Sequence, residues 1–126
     1  MALSGSPLVA FIATTDVAKA KAFYAGVLGL ELVDETPFAL VFDVAGTTLR
    51  ITPVAHVQPA PYTVLGWTVD DITSAVAALK SRGVTLSRYE GVDHDADGIW
   101  TSPSSARIAW FPDPDGNTLS ITQLPD

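Results

Sequence analysis

The chain contains no cysteine. That excludes a disulfide framework and thiolate chemistry, and it fits a cytoplasmic protein. Positive charge is scarce: seven Lys and Arg stand against fourteen Asp and Glu, for a formal net charge of −7. Nucleic acid and anionic membrane surfaces both attract basic patches, so neither is expected as a partner. The balance still permits a small anionic ligand held by one local cation. No apolar run approaches the length of a membrane span. The opening residues, MALSGSPLVAF, lack the basic region and long apolar stretch of a signal peptide. The two histidines, His56 and His94, fall in predicted loops. Nothing resembles a nucleophile elbow, so no serine–histidine–acid triad is supported.

What is present is a packed globular composition. Of 126 residues, 48% are hydrophobic and 17% charged, enough for one domain with a sizeable core. The informative stretch is Trp110 to Thr122, WFPDPDGNTLSIT, which reads as a hairpin. Asp113-Pro114-Asp115-Gly116 is turn chemistry: Pro114 presets φ, Asp113 reaches the backbone two residues on, and Gly116 accepts a positive φ. In the strand that follows, Leu119 and Ile121 point one way and Thr118, Ser120 and Thr122 the other. This strand occurs twice. Thr48-Leu49-Arg50-Ile51-Thr52 matches Thr118-Leu119-Ser120-Ile121-Thr122 except at Arg50 against Ser120, and each follows a glycine, Gly46 or Gly116.

The surrounding elements repeat too. Leu8–Ala13 fits a buried strand. Thr14-Thr15-Asp16 supplies N-cap candidates for a helix with apolar residues at Val17, Ala20, Tyr24 and Val27 or Leu28, closed by Gly29. Strands are predicted over 30–33, 38–44 and 47–52. Pro53 to Pro61 holds three prolines without a period and reads as a linker. The order then restarts: a strand over 63–69, a helix capped by Asp70 or Asp71 and closed by Gly83, and a strand over 84–89. An acidic loop over 90–98 follows, then extended segments over 99–102 and 106–111, and the hairpin. The second copy is the longer one, and the acidic loop is the obvious insertion. The expected fold is therefore α+β: two tandem βαβββ modules, about residues 7–53 and 62–124, joined by a linker over 54–61 in one domain. Their sheets are expected to form a partly open cup, with the Leu/Ile faces of the repeated strands against helices and the Thr/Arg/Ser faces toward the cup.

Four features in this order resemble the vicinal oxygen chelate superfamily, which includes glyoxalase I, bleomycin resistance proteins, extradiol dioxygenases and fosfomycin resistance proteins. They are Asp16 with Phe23-Tyr24, then Val27-Leu28-Gly29-Leu30, then Val69-Asp70, and finally Phe111-Pro112-Asp113-Pro114-Asp115-Gly116-Asn117. The resemblance covers essentially the whole chain. Gly98-Ile99-Trp100-Thr101 with Ala109-Trp110-Phe111 is similar to a bacterial subgroup described as glyoxalase-like or bleomycin-resistance-like. Fold alone does not fix a reaction. The resemblance implies metal ligands on the first and last strand of each module, which here are Val9, Arg50, Val64 and Ser120. Valine has no donor atom, arginine is a permanent cation, and one hydroxyl does not hold Zn²⁺, Ni²⁺ or Fe²⁺. No metal and no other cofactor is expected.

The strand phases nominate a ligand-binding set: Val9, Thr48, Arg50, His56, Val64, Thr68, Trp100, Ile108, Trp110 and Ser120. Arg50 offers a planar fork of donors to an anionic or carbonyl group. The competing reading pairs it with Glu31 or Asp43. Trp110 is expected to face inward with Ser120, His56 to overhang the cup, and Trp67 to pack under a helix. Asp93-His94-Asp95-Ala96-Asp97-Gly98 opens like a calcium-binding EF-hand loop but has Ser104 where the bidentate glutamate belongs. An acidic, solvated loop, or a lid flanked by Tyr89 and Trp100, accounts for it. The expected function is metal-free binding of a small organic molecule, apolar or aromatic with one anionic group meeting Arg50, by a cytoplasmic homodimer. The alternatives are a lyase or isomerase using Arg50 as electrophile with a carboxylate or His56 as base, a metalloenzyme if the strand register is misread, and an antibiotic-sequestering dimer.

Overall fold

Helices in this chain begin where aspartate can satisfy their free N–H groups. The computed structural model describes residues 2–126. Asp16 accepts from the Lys19 N–H at 3.1 Å and starts α1, Val17–Lys21. Asp71, not Asp70, accepts from the Ser74 N–H at 3.2 Å and from its hydroxyl at 2.8 Å, and starts α2, Ile72–Ser81. Those bonds from Ser74 hold the Asp71 carboxyl below its ordinary value, the hydroxyl contributing most.

The chain divides into two compact units, Met1–Gln58 and Pro59–Asp126. In the first unit β1 (Val9–Thr14) is followed by α1, which runs on as a π-helical turn over Ala22–Val27. The Leu28 N–H there reaches the Phe23 carbonyl at 2.9 Å. Then come β2 (Glu31–Thr36), β3 (Ala39–Val44) and β4 (Thr47–Pro53), giving the sheet order β1-β4-β3-β2. The second unit carries β5 (Thr63–Thr68), α2, β6 (Trp100–Thr101), β7 (Arg107–Pro112) and β8 (Thr118–Gln123), in the order β5-β8-β7-β6. In each sheet the first and last strands run parallel and the remaining pairs antiparallel. The architecture is α+β with two tandem modules, and no helix among the described residues is long and apolar enough to cross a membrane.

The repeated strands do the same structural work. Leu49 and Ile51 in β4, and Leu119 and Ile121 in β8, are buried. In the first unit they share a core with Ile12, Tyr24, Leu40 and Phe42, and in the second with Ile72, Val76, Ala109 and Phe111. The turn before each strand ends in a glycine with positive φ, +88° at Gly46 and +84° at Gly116, a region other residues enter at a cost. Asp113 Oδ1 accepts the N–H groups of Asp115 and Asn117 at 2.9 Å each, and Oδ2 accepts the Asn117 side-chain amide at 2.9 Å. Turn geometry thus accounts for the Asp113–Gly116 run.

Two sequence expectations fail here. Residues 84–89 form no strand. The place beside β7 goes to Trp100 and Thr101, opposite Ile108 and Arg107, and from the earlier segment the Ser87 N–H donates to the Trp110 carbonyl at 2.7 Å. The extra length of the second copy therefore spans 84–98, not the acidic loop alone. The first strand is also not buried on both faces: Ile12 and Thr14 are buried, but Phe11 is 63% exposed.

Candidate functional site

Each sheet has one face against its helix and one open face, and alternation along the strands decides which residues reach the open one. In the first unit the register sets Val9 opposite Thr48 and Thr48 opposite Asp43. The next row places Phe11 opposite Arg50, and Arg50 opposite Val41. The candidates Val9, Thr48 and Arg50 therefore share a face. Their neighbour Phe11 escaped the sequence reading because it lies in an apolar run that looks buried throughout.

Arg50 is half-buried, and among the described residues its guanidinium has no ion pair or side-chain hydrogen bond. Asp43, one proposed partner, instead receives the Gly46 N–H at 3.1 Å and braces the turn before β4. The cation is available to something outside its own unit's hydrogen-bond network. His56 is exposed on the segment after β4 and is not brought into either row.

The open face of the second unit has different chemistry. One row runs Thr63, Thr118, Pro112. The next runs Gly66, Ser120, Trp110, and the third Thr68, Thr122, Ile108, Trp100. Five of the candidate residues, Thr68, Ser120, Ile108, Trp110 and Trp100, thus fall on one face. Val64 does not join a row. A register shift between Thr63 and Leu65 leaves it unpaired in the bulge, 41% exposed, and brings the Thr63 methyl close to Gly66 instead. Trp67 lies opposite Ile121 on the helix-facing side, as its phase predicted.

Trp110 is the hub of an aromatic cluster. Its ring centroid lies 6.0 Å from Trp100, 5.5 Å from Tyr89 and 5.9 Å from His94, the last two edge-on. Such offset and T-shaped arrangements suit the ring quadrupoles. His94 is not an idle loop histidine. The Tyr89 N–H donates to its Nε2 at 3.0 Å, so that nitrogen carries no proton, and Nδ1–H donates to the Gly98 carbonyl at 2.9 Å. Both nitrogens are engaged, which fixes the ring beside Trp110.

The rest of the loop is tied down as firmly. Asp95 Oδ1 accepts the N–H groups of Asp97 and Ile99, each at 2.9 Å, and the Arg88 guanidinium donates to the carbonyls of Asp95 and Ala96, also at 2.9 Å. Asp95, the middle carboxylate of the calcium-like motif, therefore serves as a loop brace. Tyr89 and His94 were outside the sequence-predicted set; their only signal was a pair of rings bracketing an acidic loop beside Trp100.

The resemblance drawn from the sequence implies metal ligands at four strand positions, Val9, Arg50, Val64 and Ser120. Those positions hold two valines, a guanidinium and one hydroxyl. Among the described residues no group of three or more His, Cys, Asp or Glu side chains is placed to hold a metal ion.

Comparison with known proteins fits this framework. No curated protein matches the chain. An antibiotic-binding protein, TnmS3 from Streptomyces sp. CB03234, is 25% identical with a TM-score of 0.71, the match covering 99% of each chain. A glyoxalase/bleomycin resistance protein/dioxygenase from Alicyclobacillus acidocaldarius is 21% identical over 97% of this chain and 93% of that one, with a TM-score of 0.71. A lactoylglutathione lyase from Agrobacterium tumefaciens is 18% identical over 94% and 93%, with a TM-score of 0.69. The model of the Glyoxalase/Bleomycin resistance protein/Dioxygenase superfamily matches residues 7–121, and the chain belongs to that superfamily.

Proposed function

We propose that this protein binds a small organic molecule against the open faces of its sheets, without the catalytic metal of its enzymatic relatives, as a cytoplasmic homodimer. The observation that carries the reading is the residue set at the metal-ligand positions. Val9 and Val64 supply no donors, Arg50 repels a divalent ion, and the Ser120 hydroxyl alone is too weak a ligand. The same faces suit an organic ligand: exposed Val9 and Phe11 flank a cation with no partner among the described residues, and a tryptophan pair lies beside Ser120. Apolar walls with a few convergent polar groups are the usual makeup of a small-molecule site.

Antibiotic sequestration is the form of this function favoured by the likeness to TnmS3, whose chain is matched over 99% of its length. The enzymatic alternative has less support. Arg50 has no carboxylate or imidazole in its own row, His56 stands outside it, and Asp43, one row away, accepts the Gly46 N–H.

Thermal-shift screening of the metal-stripped protein against small carboxylates, aromatics and glycopeptides tests the reading, because a ligand selective for the native state raises apparent stability. Elemental analysis accompanies it. We expect a stabilising aromatic or aromatic acid that acts equally before and after chelation. Stoichiometric Zn²⁺, Ni²⁺ or Fe²⁺ whose removal abolishes the response would overturn it. Light scattering that returned a monomer at all concentrations would remove the homodimer from the reading.

A further inference from the structure

The second unit holds a polar group with nothing of the protein's own to bind. Ser120 is only 8% exposed, yet its hydroxyl has no hydrogen-bond partner among the described residues. Its oxygen is not sealed off, since no fully buried side-chain oxygen or nitrogen is left unpartnered. A hydroxyl so far removed from water and left unbonded is costly unless something supplies a partner.

The Ser120 hydroxyl packs against Gly66, in the place a side chain there would take. A Cβ added at Gly66 would lie 2.9 Å from Ser120 Oγ and 3.3 Å from the Ser120 carbonyl, too close for either to stay put. Glycine within a strand marks close approach by another group. Across the same row stands Trp110, with Trp100 tilted 34° to it.

The residues of the three strand rows carry no charge. The three rows contain Thr63, Thr118 and Pro112, then Gly66, Ser120 and Trp110, then Thr68, Thr122, Ile108 and Trp100. None is ionisable. An ionised ligand group would lose water here with no countercharge to replace it. A flat neutral ring would lose none and would gain contact with an indole face.

Resting on the small-molecule reading above, we infer that the Gly66–Ser120–Trp110 recess binds a neutral, planar aromatic group bearing an oxygen substituent, a carbonyl or phenolic hydroxyl. The ring lies along the tryptophan pair, and its oxygen exchanges a hydrogen bond with Ser120 over the bare backbone of Gly66. A carbonyl accepts from the hydroxyl and a phenol donates to it; a serine hydroxyl serves either.

The three tryptophans provide the readout. Their indole N–H resonances, assigned by single Trp→Phe variants, are followed while 2-naphthol, naphthalene and naphthalene-2-carboxylate are titrated into the full chain. The expected result is that 2-naphthol shifts Trp100 and Trp110 and leaves Trp67, on the opposite face, unmoved. Naphthalene-2-carboxylate binds at these resonances at least about tenfold more weakly, for want of a countercharge. Ser120→Ala weakens 2-naphthol about five- to tenfold and leaves naphthalene unchanged. Gly66→Ala, whose methyl group displaces the Ser120 hydroxyl, weakens both compounds.

The inference is overturned if 2-naphthol moves all three indoles alike or none. It is equally overturned if the carboxylate binds these two indoles as well as 2-naphthol does, or if Ser120→Ala binds 2-naphthol like the wild type in a protein whose other resonances are unaltered. A compound from the thermal-shift screen that loses affinity in Arg50→Ala while 2-naphthol stays inert removes this recess and leaves the general function standing. A screen with no response at all removes both.

Discussion

Two rows at matching places in the two modules hold opposite chemistry on the same frame. In the first, Phe11, Arg50 and Val41 lie side by side across β1, β4 and β3. In the second, Gly66, Ser120 and Trp110 lie across β5, β8 and β7. The first sets a cation with no partner among the described residues beside an exposed aromatic; the second has no charge, a buried hydroxyl and a glycine at the position matching the aromatic. One residue to either side, the chemistry is identical: Leu49 and Ile51 in one strand, Leu119 and Ile121 in the other, all buried against their own helix side. A duplicated strand keeps its helix-facing residues because both copies must fill a core at native density. Its open face carries no such requirement, so that is where the copies diverge.

The most damaging way to erase the difference is Ser120→Arg. It sets a permanent cation at a nearly closed position with no acidic residue in its rows, and should cost about 3 kcal/mol or more in urea unfolding. The reverse change, Arg50→Ser, is not expected to have a matching cost. Next come the shared residues. Leu49→Ala and Leu119→Ala should each lose about 3 kcal/mol, alike within error, if the two helix-facing sides are equivalent. A large gap between them would show that one module carries the fold and the other rides on it.

His94→Ala removes acceptor and donor from the loop that packs on Trp110 and should cost about 2 kcal/mol, with Tyr89 and Trp110 resonances shifting together. A change confined to the loop, with Trp110 unmoved, would separate the loop from the aromatic cluster. Smaller again is the cap of α2. The Asp71 carboxyl titrates lower in the folded chain than in the unfolded one, so its contribution is complete above the ordinary aspartate range and is lost as pH falls through the folded value. Acid unfolding of Asp71→Asn should therefore show a shallower loss of stability below about pH 4 than the wild type. Arg50→Ser should change stability by less than about 0.5 kcal/mol, because it breaks no ion pair among the described residues.

Much of the frame was legible from residues alone. The period of two in Thr48–Thr52 and Thr118–Thr122 gave strand phase, and phase gave the open-face positions of Arg50, Ser120 and Trp110. Thr14-Thr15-Asp16 and Asp70-Asp71 marked the helix starts through capping chemistry that needs no tertiary context, and the structure selects Asp16 and Asp71. What stayed hidden depends on partners distant in sequence. Val84 and Leu86 alternate as a strand would, but the edge of β7 is taken by Trp100 and Thr101. Phe11 sits in an apolar run, and such runs do not say which face is covered. The His94 ring is positioned by the Tyr89 N–H and the Gly98 carbonyl, backbone groups that no side-chain pattern reports. The one-residue slip that leaves Val64 in a bulge is likewise invisible without its partner strand.

The central claim is the proposal that the diverged faces bind an organic ligand without a metal. Its most direct test is calorimetric titration of the strongest thermal-shift compound into wild-type and Arg50→Ala protein, each before and after chelation. The account predicts the same affinity with and without chelation, and a loss of at least about tenfold in Arg50→Ala for a ligand with an anionic group, as expected when a charged hydrogen bond is removed. Binding that vanishes on chelation and returns with a divalent metal, indifferent to Arg50, would contradict it.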